Sequence, residues 1–84
     1  MKTKGYTIVQ AVRDALDFIP WNTSFHCYYL FDLVRNNLRD NNNHSMPYDG
    51  TIQRVMRRLR HEYNLKCINH NKSIYMKISE DRND

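Results

Sequence analysis

The chain has 84 residues, a formal net charge of +4, 40% hydrophobic residues and 26% charged residues. That describes one small domain with one small core and little room for a deep active-site cleft, and it is too apolar for a disordered chain. No apolar run approaches the ~20 residues that cross a bilayer.

The basic N-terminal segment, 1–6, has no continuous apolar stretch of the signal-peptide type after it, which predicts an intracellular protein, in the cytoplasm or in the nucleus of a host cell. Thr7 opens the first predicted helix, and Thr7 and Gln10 have capping-box spacing. Val9, Val12, Leu16 and Ile19 recur at helical intervals, with Ile8 and Ala15 beside them. Pro20 ends the helix, because the residue before a proline is pushed out of the α region. Trp21 to Phe25 reads as a short connector with extended character, Trp21 plugging the core.

A second helix is predicted from about His26 to Leu38. Cys27, Leu30, Phe31, Val34 and Leu38 share one side, with Tyr28, Asp32, Arg35 and Asn36 opposite. The polar stretch RDNNNHSMPYD is a loop. The third predicted helix runs from Asp49, a plausible N-cap, to Asn64, which tolerates the left-handed conformation of a helix end. Two β-type runs, LKCIN and SIYMKI, flank the turn residues His70 to Lys72 and predict a hairpin. The domain therefore spans 7–78, followed by an acidic tail, 79–84.

The charge is unevenly spread. Residues 1–50 carry five Lys/Arg and five Asp/Glu, whereas 51–78 carry seven Lys/Arg against Glu62 alone. One sign concentrated on one segment is the footprint of an anionic partner. In the third helix Ile52, Val55, Met56, Leu59 and Tyr63 form an apolar side, while Arg54, Arg57 and His61 point away, flanked by Gln53 and Arg58. A helix of about 15 residues is ~22 Å long and fits a DNA major groove. There arginine grips guanine and glutamine grips adenine, and further cations hold phosphates. A solvated basic face with internal salt bridges is the plainer reading, but only Glu62 lies nearby to neutralise it. Arg60 borders the core, where Asp14 or Asp17 could pair with it. Gly50 reads as a turn residue at the cap or as a point of close backbone approach to a phosphate.

The stretch DGTIQRVMRRLRHEYNLKCINHNKSIYMKI, Asp49 to Ile78, resembles the winged-helix branch of the helix-turn-helix DNA-binding proteins. Its helix matches the pattern T-[IV]-x-R-x-x-R-x-L-R, and its hairpin ends S-x-Y at Ser73 and Tyr75. The first half, Thr7 to Leu38, matches in helix spacing. Two departures stand out: a long loop before the third helix, about Arg39 to Tyr48, and a short hairpin tip with one lysine. The resemblance implies an α+β fold, a three-helix winged helix-turn-helix closed by a C-terminal two-stranded β-hairpin wing. It implies sequence-specific binding of double-stranded DNA by a small transcriptional regulator of phage or mobile-element type, an origin expected from size and resemblance alone. Gln53, Arg54 and Arg57 would then face base edges. Arg58, His61 and Lys72 would meet phosphates, with Arg35 a further candidate from the second helix.

Winged helices also serve as protein adaptors, so a basic helix bound to an acidic protein is the alternative. Tyr28 and Tyr29 are adjacent, so at least one leaves the core stripe; they cover the core edge, stack on bases, contact a second subunit of a homodimer, or meet a protein partner. RNA is a weaker reading, because no aromatic residue joins the basic face as a stacking platform. Cys27 and Cys67 make no disulfide framework and read as free thiols, with a bridge between them left open. Cys67-x-x-His70 has metal-like spacing but no second close pair of suitable geometry, so neither a metal nor another cofactor is expected. No nucleophile–base–acid set, phosphate loop or paired-carboxylate motif is visible, and an enzyme is not expected.

Overall fold

The structure is a computed structural model, which describes residues 5–79. Most of the basic 1–6 segment and of the acidic tail lies outside the described residues. The order is α1 (Ile8–Phe18), β1 (Ser24–His26), α2 (Cys27–Asp40), α3 (Asp49–Arg58), β2 (Leu65–Asn69) and β3 (Ile74–Lys77). This is an α+β fold with three helices and a three-stranded antiparallel sheet in the order β1-β3-β2.

Thr7 caps α1, its side chain accepting a hydrogen bond from the Gln10 amide at 3.1 Å. The helix stops at Ile19, whose extended backbone (φ −77°, ψ 129°) is the conformation Pro20 imposes on its predecessor. Ala11, Val12, Ala15, Leu16 and Ile19 are buried, whereas Val9 is 37% exposed. The inward face of α1 is thus turned toward Ala11 and away from the expected Val9.

The connector after Pro20 turns at Asn22, which adopts φ 59°. It then forms β1 in register with β3, pairing Ser24 with Met76, Phe25 with Tyr75 and His26 with Ile74. The expected two-stranded hairpin is therefore part of a three-stranded sheet. The extended character agrees with the sequence, but the partner lies some fifty residues downstream, beyond the reach of local pattern. Trp21 is 47% exposed rather than a core plug.

His26 caps α2, its Nδ1 accepting from the Tyr28 amide at 3.1 Å. Cys27, Leu30, Phe31, Val34 and Leu38 are all buried, as the helical wheel required. The asparagines after α2 have local work. Asn42 takes φ 62°, the Asn41 side chain donates to the Asn37 carbonyl at 2.8 Å, and Asn43 donates to the Tyr6 carbonyl at 2.5 Å.

The third helix differs from expectation at both ends. Its N-cap is Tyr48, without a side-chain cap bond, and Asp49 is its first helical residue. It ends at Arg58, and Leu59 to Asn64 continue as turns rather than as helix. Two long-range contacts hold that segment: Arg13 Nη1 and Nη2 donate to the Glu62 carboxylate (2.6 and 3.0 Å), and Tyr63 Oη donates to Asp17 Oδ1 at 2.7 Å. They anchor 62–63 on α1. Asn64 then turns with φ 45° into β2. Strands β2 and β3 pair from Leu65–Lys77 to Cys67–Tyr75, with an irregularity between Cys67 and Asn69. The core lies where Ile52, Val55, Met56, Leu59, Tyr63 and Leu65 meet the buried sides of α1 and α2.

One charged residue is buried among the described residues, at a position that hydrophobic patterning does not mark. Lys77 is 2% exposed, and its ammonium donates to the Leu16 carbonyl at 2.6 Å. Four residues beyond Leu16 stands Pro20, which has no N–H to close the helical bond. The lysine supplies the missing donor. Its Nζ also sits 4.5 Å from the Trp21 ring centroid and 5.5 Å from that of Tyr63. Burial pushes the Lys77 pKa down, with Asp17 pulling the other way.

Candidate nucleic-acid interface

Helix α3 packs Ile52, Val55 and Met56 inward and turns Arg54, Arg57 and Arg58 to the surface. Gln53 is half-buried at the edge of that surface. With ten residues, α3 is about 15 Å long rather than ~22 Å. Asp49 in the first turn and Arg57 and Arg58 in the last complement the helix dipole, a minor contribution at exposed positions.

The charge balance of this face is set elsewhere. Glu62, the one acid in the segment, is held by Arg13 of α1, and that pairing keeps its carboxyl below the usual carboxylate range. Among the described residues, Arg54, Arg57 and Arg58 form no ion pair. Arg60 is exposed and also lacks an ion pair among them, while Asp14 and Asp17 accept hydrogen bonds from Tyr6 and Tyr63 instead. The core-side pairing considered for Arg60 is absent. Its place on the turn after α3, rather than on a longer helix, points it outward.

His61 is exposed on that same turn, off the regular helix, so its position no longer follows from the helical wheel. Lys72 is exposed at the β2–β3 turn, where its amide donates to Asn69 Oδ1 at 3.1 Å. Arg35 is differently placed. Its Nη2 lies 2.5 Å from Asp49 Oδ1 and 3.0 Å from the Pro47 carbonyl oxygen, tying α2 to the start of α3. A guanidinium already engaged with a carboxylate is a structural tether before it is a phosphate contact. Gly50 is exposed, and a Cβ there would meet nothing within 4 Å, so the fold itself does not require glycine at this position.

A cleft of about 290 Å³ joins the end of α3 to the β2–β3 sheet; Met56 and Leu65 line it with Tyr75 and Cys67, together with Arg57, Arg60 and His70. Cys67 Sγ lies 3.6 Å from His70 Nδ1, and among the described residues no third His, Cys, Asp or Glu joins them as a metal site. Both cysteines are free, Cys27 buried and Cys67 partly exposed. From the sequence, Arg60 is expected only as a core partner and His70 only as a turn residue or metal ligand. Their meeting with Arg57 depends on the turn after α3, for which the local sequence carries no signal.

Comparison of the chain with family models, with curated proteins and with solved structures finds no match. No helix among the described residues is long and apolar enough to cross a membrane.

Proposed function

We propose that the protein binds double-stranded DNA through α3, in the manner of a winged helix-turn-helix regulator. The observation that carries this reading is the row Arg54, Arg57 and Arg58, exposed on a helix anchored by its opposite side, with Glu62 already taken by Arg13 and Asp49 by Arg35. Uncompensated guanidinium groups on a rigid element are suited to phosphates and guanine edges. The order of helices before a β2–β3 hairpin, with Lys72 at its tip, further supports a wing beside a recognition helix. In this reading Gln53, Arg54 and Arg57 read bases, and Arg58, His61 and Lys72 hold the backbone. Arg35 acts indirectly, by positioning the start of α3.

The test is a comparison of the parent and the Arg54→Ala/Arg57→Ala variant. The parent should bind random duplex DNA weakly, with affinity falling steeply as salt rises. On a selected cognate site, each arginine that grips a guanine should contribute about 1–3 kcal/mol, and its loss should relax preference at that position. Unchanged binding by the folded double variant would remove α3 as the reader. The adaptor reading would then lead, favoured by the exposed rings of Tyr28 (62%), Tyr29 (47%) and Tyr48 (82%).

A further inference from the structure

We infer that the cleft between α3 and the sheet is a modification site, in which Cys67 undergoes thiol–disulfide exchange with small anionic disulfides such as glutathione disulfide. This goes beyond the DNA reading and stands whether or not the protein binds DNA. Three features of one place carry it: a cavity, its charge and a nucleophile. The cleft encloses about 290 Å³, room for a small organic group. Its polar lining is Arg57, Arg60, Cys67, His70 and Tyr75, with no carboxylate, over an apolar floor of Met56 and Leu65. Guanidinium groups at the rim of a concave, partly desolvated site concentrate anions there.

The thiol is set for exchange. Cys67 is only partly buried and lies 3.6 Å from His70 Nδ1. With the ring proton on Nε2, Nδ1 takes the thiol proton as the sulfur attacks. A bond forms between Cys67 Sγ and one sulfur of the incoming disulfide. The disulfide's own S–S bond breaks, and the second sulfur leaves as a thiolate with the electron pair, later recovering a proton from His70 or water. Cys67 is oxidised to the mixed disulfide and one reagent sulfur is reduced to thiol, so no further oxidant is needed. The carboxylates of the attached group then lie beside Arg57 and Arg60. Cys27 provides a comparison within the same molecule, because it is 5% exposed in the core and its amide donates to the Ser73 carbonyl at 3.0 Å.

The test uses the full chain, reduced, with two reagents: the dianionic dithiobis(nitrobenzoate) and the neutral dithiodipyridine. Mass spectrometry of peptides assigns each product. Cys67 should react at least about tenfold faster than Cys27 with the anionic reagent, and raising salt should slow that reagent while leaving the neutral one within about twofold. Arg57→Gln/Arg60→Gln should slow the anionic reagent by about tenfold and leave the neutral rate nearly unchanged. His70→Ala should slow both. Labelling of Cys27 reports any variant that has lost its fold, and the salt comparison needs no variant at all. Equal salt response of the two reagents in the parent would overturn the inference, as would Cys27 reacting as fast as Cys67.

Discussion

A lysine inside a small core is costly unless its ammonium has partners, and Lys77 has them for a reason written in a distant proline. Pro20 leaves the Leu16 carbonyl without its helical donor, and the Lys77 ammonium fills that gap at 2.6 Å beneath the Trp21 ring. Lys77→Met keeps most of the aliphatic volume and strips the donor, so urea unfolding should show a loss of about 1–3 kcal/mol from the orphaned carbonyl. Unchanged or increased stability would mean that desolvation of the ammonium outweighs the bond. Tyr63 carries a second residue-scale consequence. Burial, followed by its hydrogen bond to Asp17, pushes the phenol from 10.0 up to about 12. A folded-state pKa above the unfolded one means a contribution fully present below pH 10 and lost as pH rises toward 12. Stability of the parent should therefore decline over that window. Tyr63→Phe should flatten this limb, while costing about 0.5–1.5 kcal/mol near neutral pH through the lost hydrogen bond.

At the scale of elements, α3 must be rigid for its outer face to mean anything, and its anchor is the row Ile52, Val55, Met56 and Leu59. Leu59, 6% exposed at the helix C-cap, joins that row to the turn that follows. Leu59→Ala should cost about 2–5 kcal/mol in chemical denaturation. A loss within ~0.5 kcal/mol would place Leu59 outside the core, as surface substitutions behave. The inward residues of α2 and α3 were legible because helical periodicity marks burial directly, and the hairpin was legible from turn residues between β-type runs. The end of α3 was not. No proline or glycine stands at Arg58 to stop a helix, and the turn that follows is tied to α1 through Glu62 with Arg13 and Tyr63 with Asp17, pairs separated by 49 and 46 residues. The pairing of β1 with β3, though not the extended character of β1, was hidden because the partner lies some fifty residues away. Of the candidate site, the exposed arginines of α3 followed from the helical wheel, while the tether at Arg35 and the cleft at Arg60 and His70 arise only from tertiary placement.

For the whole molecule, if it binds DNA as proposed, the decisive quantity is how many phosphates it neutralises, because that number fixes the salt dependence of the complex. The net charge of +4 understates the local field, since the first fifty residues balance their charges and the excess lies in 51–78, which holds most of α3 together with β2 and β3. An α3 of ten residues spans about 15 Å, which in the proposed complex limits the helix itself to roughly four base pairs of groove contact. A longer specific site would need two copies, so sites selected from a random duplex pool should appear as an inverted repeat if the protein binds as a symmetric dimer. Within each copy the cations should separate by role. Arg58→Ala should weaken all duplexes alike and reduce the slope of log affinity against log salt by about one. Arg35→Ala should leave that slope unchanged, because its guanidinium is engaged with Asp49 and the Pro47 carbonyl. Its cost should appear instead in stability, about 0.2–1 kcal/mol for a partly exposed pair. If Arg35→Ala lowers the slope as Arg58→Ala does, the tether opens in the complex and Arg35 joins the phosphate contacts. If neither changes it, the backbone runs over a different face of the molecule.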